Sequence, residues 1–184
     1  TSMDGLHTCT ATYPDTSCVM TGLTNGTAYT FSAVAQNAVG NSPSLSSSAV
    51  TPAGKPTAPT TITAVAGDHS ATITFSGQNP NGSPITSYIV TVAPTGDTYT
   101  VSSSPAVITG LTNGSSYTFT VAAVNAIGSS ATSTNSASAT PVSAPSAPTS
   151  LAVVAGDTST VVSWSAPADD GGSPITSYLV TASN

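Results

Sequence analysis

The sequence predicts an all-β protein built of antiparallel β-sandwiches, and three observations predict it. Apolar and polar residues alternate at period two in short runs, the signature of half-buried strands. Turns of Gly, Asn, Pro and Asp punctuate those runs, and no helical stripe interrupts them. The same blocks return after about 90 residues, a length that suits one sandwich of short strands.

The repeat fixes the order of the elements. Thr21-Gly22-Leu23-Thr24-Asn25-Gly26 returns 88 residues later as Thr109-Gly110-Leu111-Thr112-Asn113-Gly114. Both copies run on to a Tyr-Thr-Phe (Tyr29 and Phe31; Tyr117 and Phe119) and then to an Asn-Ala-x-Gly (Asn37 and Gly40; Asn125 and Gly128). A second set is out of phase with the first. Gly82-Ser83-Pro84-Ile85-Thr86-Ser87-Tyr88 returns at residues 172–178, a spacing of 90, and Val65-Ala66-Gly67-Asp68 at residues 154–157, a spacing of 89. The first set stands early and in the middle, the second in the middle and at the end. The chain therefore divides into the second half of one unit (residues 1–52), one whole unit (53–142) and the first half of a third (143–184). Thr51-Pro52-Ala53-Gly54-Lys55-Pro56 and the Pro-rich stretch 141–148 read as linkers.

Within a unit the strands follow from the alternation. Ala71, Ile73 and Phe75 alternate with Thr72, Thr74 and Ser76, and their counterparts are Thr160, Val162 and Trp164. Tyr88, Val90 and Val92 make the next run. Tyr117, Phe119, Val121 and Ala123 make another, matched by Tyr29, Phe31, Ala33 and Ala35. The expected core of the whole unit is Ile73, Phe75, Tyr88, Val90, Leu111, Tyr117, Phe119 and Val121, with Phe75 and Trp164 as equivalent core aromatics.

Composition narrows the function. The chain has 1 Lys+Arg against 7 Asp+Glu, a net charge of -6, and 4% charged residues. A single cation, Lys55, provides no basic surface to neutralise phosphates, so nucleic acid and anionic membranes are excluded as partners. No apolar run approaches the roughly 20 residues of a membrane-spanning helix, so membrane insertion is not expected. Two His, two Cys and scattered carboxylates make no catalytic constellation, so neither an enzyme nor a cofactor is expected. Ser and Thr supply about a third of the residues, and so little charge suits an extracellular or cell-surface protein better than a cytosolic one. The chain opens Thr1-Ser2-Met3-Asp4-Gly5 with no signal peptide, which reads as a mature chain or an internal piece.

Few residues invite a chemical role. Cys9 and Cys18 enclose eight residues, and a local disulfide staple worth roughly 2–3 kcal/mol is the expected reading. The alternative, metal or redox chemistry, lacks Cys-x-x-Cys spacing and has only His7 nearby. His7 and His69 fall in different units with no third ligand. Asp169-Asp170-Gly171-Gly172 reads as a solvated turn rather than a calcium site, because the whole unit has Asn79-Pro80-Asn81-Gly82 there; no metal is expected. Asn25, Asn81 and Asn113 each begin an Asn-Gly-Ser/Thr acceptor for glycosylation, yet Asn-Gly is also what a tight turn selects.

Four features in order resemble the fibronectin type III family over nearly the whole chain. They are Ala58-Pro59 or Ala147-Pro148 before strand A, Trp164 on strand B, Tyr88 or Tyr178 on strand C, and Leu-x-x-Gly-x-x-Tyr before strand F (Leu23, Gly26, Tyr29; Leu111, Gly114, Tyr117). The resemblance implies tandem Ig-like sandwiches, one complete and two complementary half domains: strands C′ to G in residues 1–52 and A to C in 143–184. It also implies a tyrosine corner at Tyr29 and Tyr117, and recognition loops at residues 37–44 and 125–133; there is no Arg-Gly-Asp in them or elsewhere. The Ala/Thr/Ser/Gly-rich style resembles bacterial or archaeal surface arrays. The function expected is a non-catalytic filament, stalk or spacer whose partners are neighbouring copies, head to tail. The chain stops at the end of strand C and starts where strand C has just ended, so tail and head halves of successive copies are expected to complete one sandwich, in a continuous array or by strand complementation between subunits. The alternative is an adhesin or the carbohydrate-binding accessory module of a secreted enzyme, a surface glycan being met by exposed Tyr13 and Tyr99.

Overall fold

The computed structural model describes residues 7–183. Among them there is no helix, and the sheets are antiparallel. Four two-residue strands come first: β1 (Ser32–Ala33), β2 (Gln36–Asn37), β3 (Gly40–Asn41) and β4 (Leu45–Ser46). Seven follow in the middle: β5 (Thr61–Gly67), β6 (Ser70–Ser76), β7 (Ile85–Ala93), β8 (Thr98–Val101), β9 (Ala106–Thr109), β10 (Thr118–Asn125) and β11 (Gly128–Ser129). The last two are β12 (Thr149–Ala155) and β13 (Thr160–Ser165). The middle strands form a three-stranded sheet, β5-β6-β9, and a four-stranded sheet, β11-β10-β7-β8.

The chain folds as two compact units, one of Thr1–Ala58, Gln78–Tyr88 and Ala122–Thr132, the other of Pro59–Gly77, Ile89–Val121 and Ser133–Asn184. The core of the second unit is made by alternation. β6 buries Ala71, Ile73 and Phe75, and its Thr74 and Ser76 face out. β7 buries Val90 and Val92, β9 buries Ala106 and Ile108, and β10 buries Phe119 and Val121. Leu111 and Tyr117 close this core beside them. In the first unit the buried residues include Tyr88, whose hydroxyl accepts from Gln78 Nε2 at 2.7 Å, and Ala122, Ala123 and Asn125 of β10.

The partner of β10 is not an ordinary strand. Beyond β11, Ser130, Ser133 and Ser136 donate their backbone N–H to the carbonyls of Ala123, Val121 and Phe119. The reciprocal N–H groups of Ala123, Val121 and Phe119 are taken up by the three serine Oγ atoms at 2.9, 2.9 and 3.0 Å. Each Oγ passes its own proton to the next residue's carbonyl. The segment thus spends three residues for every two of β10, roughly 2.3 Å of advance per residue against about 3.4 Å in a regular strand. It is a serial bulge in which hydroxyls stand in for the missing half of the ladder. Ser42 with Ala35 and Ser47 with Phe31 repeat the device in the early segment. Thr57 with Asn79 and Ser146 with Asp169 pair a backbone bond with a hydroxyl bond in the same way, and Ser104 Oγ accepts the N–H of Phe75. The abundance of Ser and Thr has a structural use here.

The flanking segments are thinner. Residues 7–28, where strands C′ and E are expected, carry no strand, and β1 pairs with β4 and β2 with β3 only. β12 and β13 form a hairpin, but residues 174–183, where strand C is expected, pair with nothing. The reason is in the middle repeat: there the equivalent strand β7 lies between β10 and β8, and the third repeat has neither counterpart within this sequence. Trp164 is accordingly half-exposed, leaning on Tyr178 at a centroid distance of 5.2 Å. Tyr29 and Phe31 stack at 6.3 Å and are also only half-buried. Leu45, Leu151, Val153, Val154, Val161 and Leu179 lie exposed. The two ends of the chain at which tail and head are expected to meet, Thr1-Ser2-Met3-Asp4-Gly5 and Asn184, lie outside the described residues.

Candidate functional site

The most organised surfaces are two joints of the same design, one within each compact unit. In the first, Gly26 donates its N–H to the Pro52 carbonyl at 2.9 Å, and Gly54 donates to the Asn81 carbonyl at 2.9 Å. The linker 52–54 is thereby held between the Asn25-Gly26 turn and the Asn81-Gly82 turn. Asn81 Nδ2 reaches the Lys55 carbonyl at 2.9 Å. Asn81 and Gly82 both have positive φ, 55° and 86°, which Asn tolerates and Gly prefers. A Cβ on Gly82 would strike the Pro52 carbonyl and stand 2.7 Å from Gly26 N, so the joint excludes any side chain there.

The second joint repeats this. Gly114 donates to the Pro141 carbonyl at 2.8 Å and Ser143 to the Gly171 carbonyl at 2.9 Å. Gly171 and Gly172 have φ of 72° and 80°, and a Cβ on Gly114 would sit 3.1 Å from Gly172 Cα. Asp169 and Asp170 take part as turn caps: Asp169 Oδ1 accepts from Gly171 N–H at 2.8 Å and Asp170 Oδ1 from Gly172 N–H at 2.9 Å. Among the described residues no group of three His, Cys, Asp or Glu is placed to hold a metal.

Asn125 completes the first joint. It is 4% exposed. Its Oδ1 accepts from the N–H groups of Ile127 and Gly128, and its Nδ2 donates to the carbonyls of Gly54 at 2.8 Å, Pro80 at 3.1 Å and Ser83 at 3.3 Å. Residues 125–128 are therefore a tight, pinned turn. The expected recognition loop 125–133 is shorter than the sequence suggested, because from Ser130 onward the chain is already bonded to β10.

The remaining candidates fall as follows. Cys9 and Cys18 are bonded to each other. Tyr29 and Tyr117 hydroxyls accept from the backbone N–H five residues upstream, Thr24 at 3.0 Å and Thr112 at 3.1 Å. The Thr112 backbone and side chain hold the buried Tyr117 phenol below its ordinary value of 10.0. His69 Nδ1 lies 3.0 Å from the Leu111 carbonyl, the His69 backbone N–H donates to Asn113 Oδ1, and Asn113 Nδ2 donates to Asp68 Oδ1. The amides of Asn81 and Asn113 are thus engaged in turns, and Asn25 Nδ2 faces Gly54. Tyr13 is 94% exposed and Tyr99 is half-buried. Sequence reasoning missed Asn125 and the bonding serines. The Asn-Ala-x-Gly block was the available signal for the former.

The fibronectin type III domain family matches residues 57–139, just under half of the chain. Fibronectin type III domains are typically non-catalytic modules, and they and disulfides are common in extracellular proteins. Among solved structures, the FN1–FN3 domains of chicken CNTN1 are 23% identical, with a TM-score of 0.47, covering 79% of this chain and 54% of that one. The titin kinase with its flanking domains is 27% identical, with a TM-score of 0.43, covering 48% of this chain and 18% of that one. The twitchin kinase region from C. elegans is 22% identical, with a TM-score of 0.41, covering 47% and 17%. The chain spans about half or less of the length of these relatives.

Proposed function

We propose that this chain is a stretch of a tandem array of fibronectin type III modules, serving as a non-catalytic extracellular or cell-surface spacer, stalk or filament of bacterial or archaeal style. The observation that carries the reading is the joint. The same glycine-to-glycine contact, with the same two backbone bonds around the linker, recurs at both module boundaries, near residues 52–54 and 141–143. A flexible tether would need no such fit; a spacer that holds each module at a set angle needs it at every boundary. The boundaries proposed are 1–52, 53–142 and 143–184. In the array, tail and head halves of successive copies complete one sandwich. Half-exposed Trp164 and Phe31 support this, because their counterparts Phe75 and Phe119 are both buried in the core of the second unit.

The test is imaging of the native material together with denaturing electrophoresis. Continuous fibres with an axial repeat set by one module, and either a very large band or a monomer near 17.8 kDa, fit the array, the band deciding between one chain and complementing subunits. Dispersed particles with no repeat would sink it. A second reading, an adhesin or carbohydrate-binding module, is favoured by the exposure of Tyr13 on its disulfide loop. Binding of a polysaccharide that is lost in Tyr13→Ala would establish it.

A further inference from the structure

We infer that Asn113 is a self-modification site guarded by the second joint. When the joint parts, Asn113 cyclises onto Gly114, loses ammonia and becomes an acid that hinders reclosing. The inference needs only the joint within its own unit and is independent of the array reading.

The turn selects Asn113-Gly114, and Gly114 has a φ of 78°. The same pairing is chemically labile, because glycine has no Cβ to shield its nitrogen from the preceding side chain. The step balances with water alone. Gly114 N bonds to Asn113 Cγ, the Cγ–Nδ2 bond breaks, and ammonia leaves with the proton from Gly114 N. Water then opens the cyclic imide at either carbonyl, giving aspartate or iso-aspartate.

The closed joint restrains both reacting groups. The Pro141 carbonyl holds the Gly114 N–H at 2.8 Å. The Asn113 carboxamide is clamped at both ends: Oδ1 accepts from the His69 backbone N–H at 2.9 Å and Nδ2 donates to Asp68 Oδ1 at 3.0 Å. Gly172 Cα packs against Gly114, 3.1 Å from where a Cβ would stand. Gly114 is exposed and Asn113 half-exposed, so water is at hand and these bonds, not burial, hold the reaction back. Only the open fraction of molecules reacts.

The product hinders the return. A carboxylate at position 113 puts an acceptor where Asp68 Oδ1 now meets a donor, so two negative groups face each other in place of one hydrogen bond. Iso-aspartate also routes the backbone through the side chain, and the added methylene carries the Gly114 N–H away from Pro141. Each opening that reacts is thereby recorded as a permanent charge.

The test incubates the full chain, disulfide intact, in mildly alkaline buffer and follows the amide-to-acid mass gain at each Asn-Gly by peptide mapping. Asn25 and Asn81, in the other unit, are internal references. Asn113 in the folded chain is expected to react at least roughly tenfold slower than in urea, a slowing no smaller than the protection of the Gly114 amide against hydrogen exchange. Gly172→Ala, whose Cβ would strike Gly114 N, is expected to bring Asn113 toward its urea rate and to leave Asn25 and Asn81 at their folded rates. Asn113→Asp is expected to speed exchange at Gly114 severalfold. Equal folded and urea rates at Asn113, or a slowing smaller than the exchange protection, overturns the guard. So does a Gly172→Ala chain that exchanges faster at Gly114 yet reacts no faster at Asn113. If all three sites quicken in Gly172→Ala, that variant has unfolded, and the comparison within the unaltered chain decides. Unchanged exchange in Asn113→Asp overturns the hindered return. None of these outcomes bears on the array.

Discussion

Ser136→Ala removes one oxygen and tests the hydroxyl ladder. Ser136 is nearly buried, and its Oγ takes the N–H of Phe119, which is fully buried, at 3.0 Å. Without it that N–H has no water to turn to, and a buried unsatisfied donor costs about 1–3 kcal/mol. The other bond lost, Ser136 Oγ to the Ala137 carbonyl, adds little, because Ala137 is exposed and water replaces the donor. At a mid-range loss of about 2 kcal/mol the module melts roughly 8–16 °C lower. Thermal unfolding by circular dichroism measures this, and amide exchange at Phe119 locates it. Ser103→Ala, at an exposed position, is the control and changes stability by less than about 0.5 kcal/mol. Ser136→Thr keeps the hydroxyl and recovers most of the loss. If Ser136→Ala matches the Ser103 control and Phe119 exchange is unchanged, the segment has slid into an ordinary ladder and the hydroxyl is dispensable.

Other outcomes follow from the same geometry. Phe75→Ala, which empties a buried ring from β6, costs about 3–5 kcal/mol and unfolds a marginal module, read by denaturant titration. Gly82→Ala places a methyl against the Pro52 carbonyl at a φ that non-glycine residues avoid; it costs about 1–3 kcal/mol and speeds amide exchange at Gly26. Tyr117→Phe removes the phenolate absorbance component that titrates below the ordinary tyrosine range. The folded-state value being depressed, Tyr117 contributes pH-linked stability that is complete above pH 10.0 and is lost as pH falls through the lowered value, and the Phe variant lacks that dependence.

The strands of the middle repeat were legible because a buried face imposes period two. Ile73, Phe75, Val90, Phe119 and Val121 announce it, and all five are buried. The serial bulge was illegible for the same reason: its period is three, its contact residues are serines, and serine at any spacing reads as loop. Asn125 was hidden because a turn and a buried pin call for the same residue. The flanking halves show the limit of pattern. Tyr178, Leu179 and Val180 carry a strand's alternation as clearly as Tyr88, Ile89 and Val90, yet they form no strand, because a strand exists only against a neighbour.

The serial bulge also decides what the sheet edge offers to other molecules. Most soluble β-proteins guard their edges with charge, above all lysine, against unwanted pairing and fibrillar aggregation. This chain has one lysine. Along the β10 flank, Ser130, Ser133 and Ser136 turn their hydroxyls inward and return each proton to the following carbonyl. A segment with three residues to its neighbour's two presents its outward donors and acceptors out of step with any flat strand, so an approaching chain finds no register to extend. A surface so sparsely charged and otherwise prone to sticking is kept from it by geometry, and that protection persists at high salt, where charged guards are screened.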